Sequence, residues 1–421
     1  MDDEQARPGD VRPGDVGSGG GQPGDVPASE DAAPRGALGR RRVAVVFGGR
    51  SSEHAISCVT AAGVLRALDR ERWDVVPVGI APDGRWVLAA DDPGRWELHD
   101  GVLPAVDAAE GPAVLAPRSP VERGLVAVGA GDVPRALGEV DVVLPLLHGP
   151  YGEDGTLQGL LEMSDTRYVG SGVLASALAM DKHYAKTVLQ AAGVDVGPWV
   201  LVTDRTWRTA REERLDAGLA LAGATGADAV FVKPSRAGSS MGVSRVVVRQ
   251  DGQDRPGARE ALAAAVEAAR EHDPKVLVEV GVRGRELECG VLDRLAGGPP
   301  QASAVGEVAV VDGRDFYDFE AKYLDAAAVR LTCPADVPDG VADAVRATAL
   351  RAFEALGCEG LARVDVFAGE DGRVVVNEVN TMPGFTPSSM FPRLWAASGL
   401  DYPALVERLL ALALERATGL R

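Results

Sequence analysis

The chain has little that would tie it to nucleic acid, a membrane or an oxidising compartment. Its basic residues are outnumbered: 44 Lys and Arg stand against 62 Asp and Glu, a formal charge of -18 over 421 residues. Such a surface repels phosphate backbones and anionic headgroups within a Debye length, so neither is an expected partner. There are four cysteines, Cys58, Cys289, Cys333 and Cys358, far apart and never spaced C-x-x-C. That argues against a zinc site and a disulfide framework and leaves buried free thiols. No basic and apolar leader precedes a cleavage site and no apolar run is long enough to span a bilayer, so a cytoplasmic location is expected by elimination. Aromatic residues are absent from Met1 to about Arg40, where Pro-Gly-Asp-Val recurs three times, ending at Val11, Val16 and Val26. This stretch holds too little apolar surface to offset its chain entropy, and residues 1–40 are read as a disordered acidic Pro/Gly-rich tail.

What remains is 46% apolar overall and too long for one core, so two or three domains are expected. Val43 to Phe47 is a continuous apolar run of strand length, followed by Gly48-Gly49 and by Ser52 as cap of a helix through about Leu68. A second strand-loop-helix unit runs from Val142 to Leu147, through His148-Gly-Pro-Tyr-Gly-Glu-Asp-Gly155, into Thr156 to Leu161. In parallel α/β sheets, ligand groups gather at such carboxyl ends of strands. Residues 81–139, rich in Pro, Gly and Asp, suggest no chemistry. Further on, a helix to about Ala192 follows Met180-Asp-Lys182, and Val276 to Val280 reads as a strand. Val341 to Leu356 has helical spacing ending at Gly357, and Leu405 to Leu412 an amphipathic closing helix.

The chemistry concentrates in two places. Arg363-Val-Asp-Val-Phe367 and Arg373-Val-Val-Val-Asn-Glu-Val-Asn380 flank a turn and read as a hairpin. Side chains two apart share a strand face, so Arg363 and Asp365 converge with Glu378 and Asn380. Two carboxylates and an amide are hard oxygen ligands suited to Mg²⁺ on a nucleotide. The turn-rich Thr381 to Ser389 can present N–H groups and hydroxyls beside it. The second place is Lys233-Pro-Ser-Arg-Ala-Gly-Ser-Ser240-Met-Gly242. Its lysine precedes the glycines, the reverse of a Walker loop, and strand patterns flank it, so it reads as a flap over phosphates. Glu279 and Glu286 bracket a strand end where backbone could pair with adenine while Glu286 reaches the ribose.

Together these residues resemble the D-alanine-D-alanine ligases of the ATP-grasp superfamily from about Arg42 to the C-terminus. The resemblance is carried by Phe47 to His54, Leu147 to Gln158, Gly170-Ser-Gly172, Met180-Asp-Lys182, Lys233 to Gly242, Tyr317 to Tyr323, Arg363-Val-Asp365 and Asn377 to Gly384. It implies an α/β and α+β multidomain protein: an N-terminal parallel α/β (pre-ATP-grasp) domain at 41–170, then a two-lobed ATP-grasp fold with a central lobe at 171–278 and a C-terminal lobe at 279–421. It implies that Lys182, Lys233 and Ser240 bind phosphates, that Glu279, Val282 and Glu286 hold adenosine, and that Asp365, Glu378 and Asn380 ligate two Mg²⁺ ions, which Mn²⁺ can replace. Glu53 would bind the first substrate's ammonium, linked to Ser239 and Tyr323, with His148 nearby. Arg363 and the Gly384 N–H would stabilise the oxyanion, and Lys322, Ser389 and Met390 would line the second substrate.

The implied reaction is ATP-dependent joining of two D-alanine molecules through D-alanyl phosphate, releasing ADP and phosphate, for peptidoglycan precursors, by a cytoplasmic homodimer. A lid over Asp312 to about Cys333 would exclude water. Within it, Glu320-Ala-Lys322-Tyr323 favours an amine as second nucleophile. Ala237, Phe319 and Met390 depart from the residues usual in the family and bear on second-site selectivity. The alternatives are a D-alanine-D-lactate or D-alanine-D-serine ligase, a catalytically silent nucleotide-binding regulator, and a bicarbonate-using carboxylase-type enzyme.

Overall fold

The computed structural model describes residues 39–99, 101–117, 119–129, 133–250, 252–310 and 329–419. The expected tail, apart from its last two residues, lies outside them. So does the expected lid from 312 to 328, with Lys322 and Tyr323.

Strand β1 (Arg41–Gly48) lies between β2 (Trp73–Ile80) and β7 (Val142–Pro145), parallel to both, with Val43 opposite Val75 and Val142. A strand covered on both faces needs no alternation, which explains the unbroken Val43-Ala-Val-Val-Phe47 run. Helix α1 (His54–Ala67) packs on this sheet, but Ser52 does not cap it. Glu53 holds the N-cap position, its carbonyl accepting from the Ser57 N–H, but its side chain makes no cap bond because the carboxylate is engaged elsewhere. The segment at 81–139 continues the sheet as β3 (Trp86–Leu88), β4 (Ala113–Leu115), β5 (Gly124–Val128) and β6 (Arg135–Glu139), in the order β6-β5-β4-β3-β2-β1-β7. Helices α2 (Thr156–Met163) and α3 (Val173–Met180) follow β7.

A four-stranded antiparallel sheet comes next, ordered β10-β9-β13-β8. It comprises β8 (Trp199–Val202), β9 (Ala229–Pro234), β10 (Ser244–Val247) and β13 (Val276–Val280), with the small hairpin β11 (Arg249–Gln250) and β12 (Gln253–Asp254) beside it. Helix α4 (Lys182–Ala191) precedes it. After α5 (Asp204–Thr209), helices α6 (Arg211–Thr225) and α7 (Ala258–Arg270) bury Leu215, Leu262 and Val266 against Val230, Val232 and Val278.

The last sheet, ordered β16-β15-β14-β17-β18, is antiparallel. Its strands are β14 (Arg285–Leu292), β15 (Gln301–Val310), β16 (Val329–Thr332), β17 (Leu361–Ala368) and β18 (Val374–Asn380). Helix α8 (Asp339–Ala355) covers one face through Val345, Ala349 and Phe353, against Leu287, Cys289 and Val364. Helix α9 (Met390–Ala397) lies against the other face at two glycines. A Cβ on Gly290 would come within 2.8 Å of Trp395 Nε1, and one on Gly306 within 2.5 Å of Met390 Sδ. That close approach fixes the start of α9, where Ser389 and Met390 sit. Helix α10 (Tyr402–Glu415) closes the chain, burying Leu405 and Leu409 with Val142 and Leu144 of the first sheet. Among the described residues no helix is long and apolar enough to cross a membrane.

Candidate active site

Strand register builds the charged centre. Glu288 on β14, Asp365 on β17 and Glu378 on β18 stand opposite one another, and Arg363 faces Asn380. The Arg363 guanidinium lies in this row, with Nε and Nη2 donating to Asp365 at 2.7 Å each and Nε 3.1 Å from Glu288 Oε2. Burial alone would lower the Arg363 pKa, but the carboxylates of Asp365 and Glu288 outweigh it and hold the side chain charged. Asn380 Nδ2 donates to Asp365 Oδ2 at 3.0 Å, and Lys182 Nζ lies 3.5 Å from Glu378 Oε2.

This donor set fits a hard divalent cation: two facing carboxylates and an amide that presents its oxygen after one half-turn about its terminal bond. Among the described residues no three His, Cys, Asp or Glu side chains form a ready-made metal cage. Mg²⁺ suits such a partial set, since it takes much of its shell from phosphate and water.

Two cavities meet at this centre. The first, of about 320 Å³, is lined by Phe231, Val280, Val282, Phe367 and Val376 as apolar walls, with Lys182, Lys233, Ser240, Glu279, Glu286 and Glu378 as polar ones. Lys233 Nζ is 2.7 Å from Glu279 Oε2, while Lys186 Nζ stands 3.5 Å from Oε1. Desolvation, the largest effect, lowers the Lys186 pKa to about 8 against the opposing pull of Glu279. Glu279 Oε1 is buried and, apart from the 3.5 Å ion pair with Lys186, meets no hydrogen-bond donor among the described residues, which leaves acceptor capacity for an exocyclic amine such as that of adenine. Lys182 is aimed by its neighbour: the Asp181 carboxylate caps α4 and accepts from Ser235 Oγ at 2.9 Å and Lys275 Nζ at 2.7 Å. Lys182 Nζ itself donates to Ala237 O at 2.9 Å, in the glycine loop.

The second cavity, of about 600 Å³, is lined by Glu53, His148, Glu153, Gly384, Ser389, Met390 and Arg393. Ser239, at φ 50°, donates its hydroxyl to Glu53 Oε1. Glu53 Oε2 lies between two glycines, since a Cβ on Gly149 or Gly238 would approach it to 2.8 or 2.7 Å. Loop 146–155 also grips the peptide after β18. His148 Nδ1 is 3.2 Å from Met382 O, and the Met382 N–H donates to Glu153 Oε1 at 3.3 Å, while the Gly149 N–H donates to Glu153 Oε2 at 2.6 Å. Desolvation holds His148 neutral by lowering its pKa. Desolvation and, behind it, the Glu53 charge push Glu153 up to about 8. The Gly384 N–H has no hydrogen-bond partner among the described residues. Lys182, Ala237, Ser239, Glu288, Arg363 and Glu378 line both cavities, so a group transferred between two ligands would pass this wall.

Two family models match, described as the D-ala D-ala ligase N-terminus over residues 42–171 and the D-ala D-ala ligase C-terminus over residues 188–411. The D-alanine-D-alanine ligase of Kineococcus radiotolerans is 62% identical over 387 residues, covering 90% of this chain and 98% of that one. The chain belongs to the D-alanine-D-alanine ligase family. It is accordingly a ligase with an ATP-grasp fold, and membership of this family implies ATP as co-substrate. Among solved structures it resembles the D-alanine-D-alanine ligase of Coxiella burnetii, with 32% identity, TM-score 0.69 and coverage of 90% of this chain and 94% of that one. It also resembles the VanG D-Ala:D-Ser ligase of Enterococcus faecalis, with 30% identity, TM-score 0.73 and coverage of 89% and 99%. Fold likeness therefore does not separate second substrates, whereas the higher-identity relatives favour D-alanine over the serine and lactate alternatives.

The structure brings Glu53, His148, Lys182, Lys233, Ser239, Ser240, Glu279, Val282, Glu286, Arg363, Asp365, Glu378, Asn380, Gly384, Ser389 and Met390 to the two cavities. Tyr323 and Lys322 fall outside the described residues. Sequence reasoning missed Glu288, Glu153, Lys186 and Asp181. Glu288 shares a strand face with Glu286, and Lys186 lies one helical turn beyond Lys182, so alternation and period pointed to both. Glu153 and Asp181 sat inside quoted motifs, but nothing local signals that their partners are backbone amides or a distant lysine.

Proposed function

We propose that this site joins two D-alanine molecules at the expense of ATP, forming D-alanyl phosphate at the shared wall and then D-alanyl-D-alanine for peptidoglycan precursors. The observation that carries the reading is that Lys182, Ser239, Arg363 and Glu378 border both cavities, as a phosphoryl transfer between nucleotide and amino acid requires.

In this reading Glu279 and the Val282 backbone hold adenine, Glu286 the ribose, and Lys182, Lys233 and Ser240 the phosphates. Glu53, oriented by Ser239, binds the first D-alanine ammonium near His148 and leaves its carboxylate toward the wall. Asp365, Glu378 and Asn380 would hold Mg²⁺, or Mn²⁺ in its place. When bound, two such ions supply charge neutralisation on the transferring phosphoryl group. The second D-alanine attacks as a free amine, and the resulting oxyanion is met by Arg363 and the Gly384 N–H. Ser389, Met390 and Lys322 line this second position, and Tyr323 completes the link from Glu53 and Ser239. Residues 41–170, 171–278 and 279–421 act as three domains. We further propose a cytoplasmic homodimer, supported by Leu160, Met163, Val173 and Leu174, which α2 and α3 leave exposed.

The test is ADP release with D-alanine and Mg-ATP, with products separated after competition with D-lactate and D-serine. D-alanyl-D-alanine should dominate. Dominant D-alanyl-D-lactate at neutral pH, or no ADP release, would overturn the reading.

A further inference from the structure

Behind the phosphate end of the first cavity lies a second group of charges, Asp181, Asp273 and Lys275, which lines neither cavity. Asp273 and Lys275 belong to the turn at 271–275 that joins α7 to β13. Asp273 is buried, and its carboxylate gathers four donors. Arg236 supplies its backbone N–H at 2.9 Å, Nε at 3.0 Å and Nη2 at 2.7 Å, and the Lys275 N–H adds a fourth at 3.0 Å. The Lys275 carbonyl accepts from the Ser235 N–H at 2.8 Å. One turn thus pins both residues with which the glycine loop leaves β9. Lys275 Nζ reaches Asp181, lying 2.8 and 2.7 Å from its two oxygens. Asp181 caps α4, whose first residue is Lys182, and the Lys182 N–H donates back to Ser235 O at 3.0 Å.

Stability alone is a poor reason for this ion pair. The Lys275 and Asp181 side chains are 14% and 9% exposed, and a pair so far from water regains in attraction little more than it loses in hydration, so neutral residues of similar shape often serve a fold as well. What a fully bonded pair adds is a fixed spacing. On one side of it stands Lys182. On the other is the loop that carries Ser239 and Ser240 in left-handed backbone, at φ 50° and 57°, a conformation that residues other than glycine keep only where their surroundings impose it. Phosphoryl transfer depends on that spacing, since Lys182 and Ser240 line the first cavity while Ser239 holds Glu53 in the second. We propose that Lys275 is a positioning residue for phosphoryl transfer, which sets Lys182 and the glycine loop at a fixed distance through Asp181 and Ser235. This role rests on the ligase reading above and extends its machinery one layer behind the residues that would touch substrate.

Two variants separate positioning from stability. Lys275→Met leaves the Asp181 carboxylate buried without the Lys275 cation. Lys275→Met combined with Asp181→Asn removes both charges, while the asparagine keeps an acceptor for the α4 cap and for Ser235 Oγ. ADP release with D-alanine and Mg-ATP gives kcat and KM, and thermal melts give Tm. The single variant should lose Tm and about 10- to 100-fold in kcat, since a misplacement approaching 1 Å costs about 100-fold. Its KM for Mg-ATP should rise by less, because the adenine end of the cavity is untouched. The double variant should regain most of the lost Tm, as a neutral pair replaces an orphaned charge, and none of the lost kcat. Recovery of kcat together with Tm would mean that the pair serves the fold alone. A double variant as unstable as the single one would mean that the charges themselves hold the fold together, and kcat within about twofold of the parent in both would mean that Lys182 needs no such support; each of the three overturns the proposal. If the unaltered protein releases no ADP with D-alanine, the ligase reading fails instead.

Discussion

Gly238→Ala should disable the amino-acid half of the site while sparing the nucleotide half. Gly238 borders the second cavity but not the first, although Ala237, Ser239 and Ser240 border the first. Its backbone is not left-handed, so alanine fits the chain there, and among the described residues the three atoms nearest the new Cβ all belong to the Glu53 carboxylate, with Oε2 at 2.7 Å. Restoring ordinary contact requires Oε2 to retreat by roughly 0.7 Å, given a closest comfortable approach near 3.4 Å. Retreat toward loop 146–155 is limited, because Oε2 already occupies the space beside Gly149 that a Cβ would fill. The carboxylate must therefore turn away from Ser239, and the ammonium it would hold moves with it. A misplacement approaching 1 Å costs about 100-fold in rate, and a charged hydrogen bond contributes about 1.5–3 kcal/mol, or roughly 10- to 150-fold. The expected loss is thus about 10- to 100-fold in kcat/KM for D-alanine. A coupled ADP-release assay measures it, with nucleotide affinity and Tm as controls that should barely change. A variant within about twofold of the parent would refute the role given to Glu53.

Glu153→Gln should flatten the pH dependence of stability. The carboxyl, near 4.3 in an unfolded chain, titrates at about 8 in the fold because of desolvation first and Glu53 second. Between those values the folded form keeps a proton that the unfolded form releases, so stability falls as pH rises through the window and levels above 8. Melts at pH 5, 6.5 and 8 should show Tm of the variant gaining on the parent with rising pH, and parallel curves would refute this. Chelating divalent cations should abolish ADP release, and Asp365→Asn should lower turnover at least tenfold while leaving Arg363 one anionic partner in Glu288; restoration by Mg²⁺ or Mn²⁺ but not Ca²⁺ would support the donor set. Thiol titration of the native protein should find one reactive cysteine of four. Burial pushes Cys58 and Cys358 up to about 12 and Cys289 up to about 11, whereas Cys333 is half-exposed and less shifted. Cys333→Ser should remove that signal.

Local pattern carried the reading wherever the chemistry is made within one element or one hairpin. Strand alternation alone placed Arg363, Asp365, Glu378 and Asn380 together, and the register realises it, with Arg363 opposite Asn380 and Asp365 opposite Glu378. The order of lysine and glycine in 233–242 likewise indicated a strand-to-strand loop, which β9 and β10 form. Ser52 failed as a cap because capping is a local preference, and Glu53 beside it is fixed by a serine 186 positions away. Residues 81–139 failed for a different reason: short strands of three to five residues give too few alternations to rise above their Pro and Gly content.

The pieces that escaped share one physical trait, which is that their partners come from elements distant in sequence. Glu153 bonds the Met382 amide 229 positions later, and Lys275 reaches Asp181 across 94. Neither contact leaves a periodic trace, because a single buried side chain answering a single backbone group has no repeat. Yet these are the contacts that decide function here. In the proposed reading the hairpin would supply metal donors and oxyanion donors, and Met382 between them is held by His148 and Glu153 from the loop after β7. The first sheet thereby governs how Gly384 and Asn380 are presented. A hairpin with all its ligands and without that loop would hold a cation but would not fix the Gly384 N–H for the oxyanion. On that reading Glu153 would act as a positioning residue for the joining step more than for phosphoryl transfer. Glu153→Ala should accordingly depress dipeptide formation more than ATP binding.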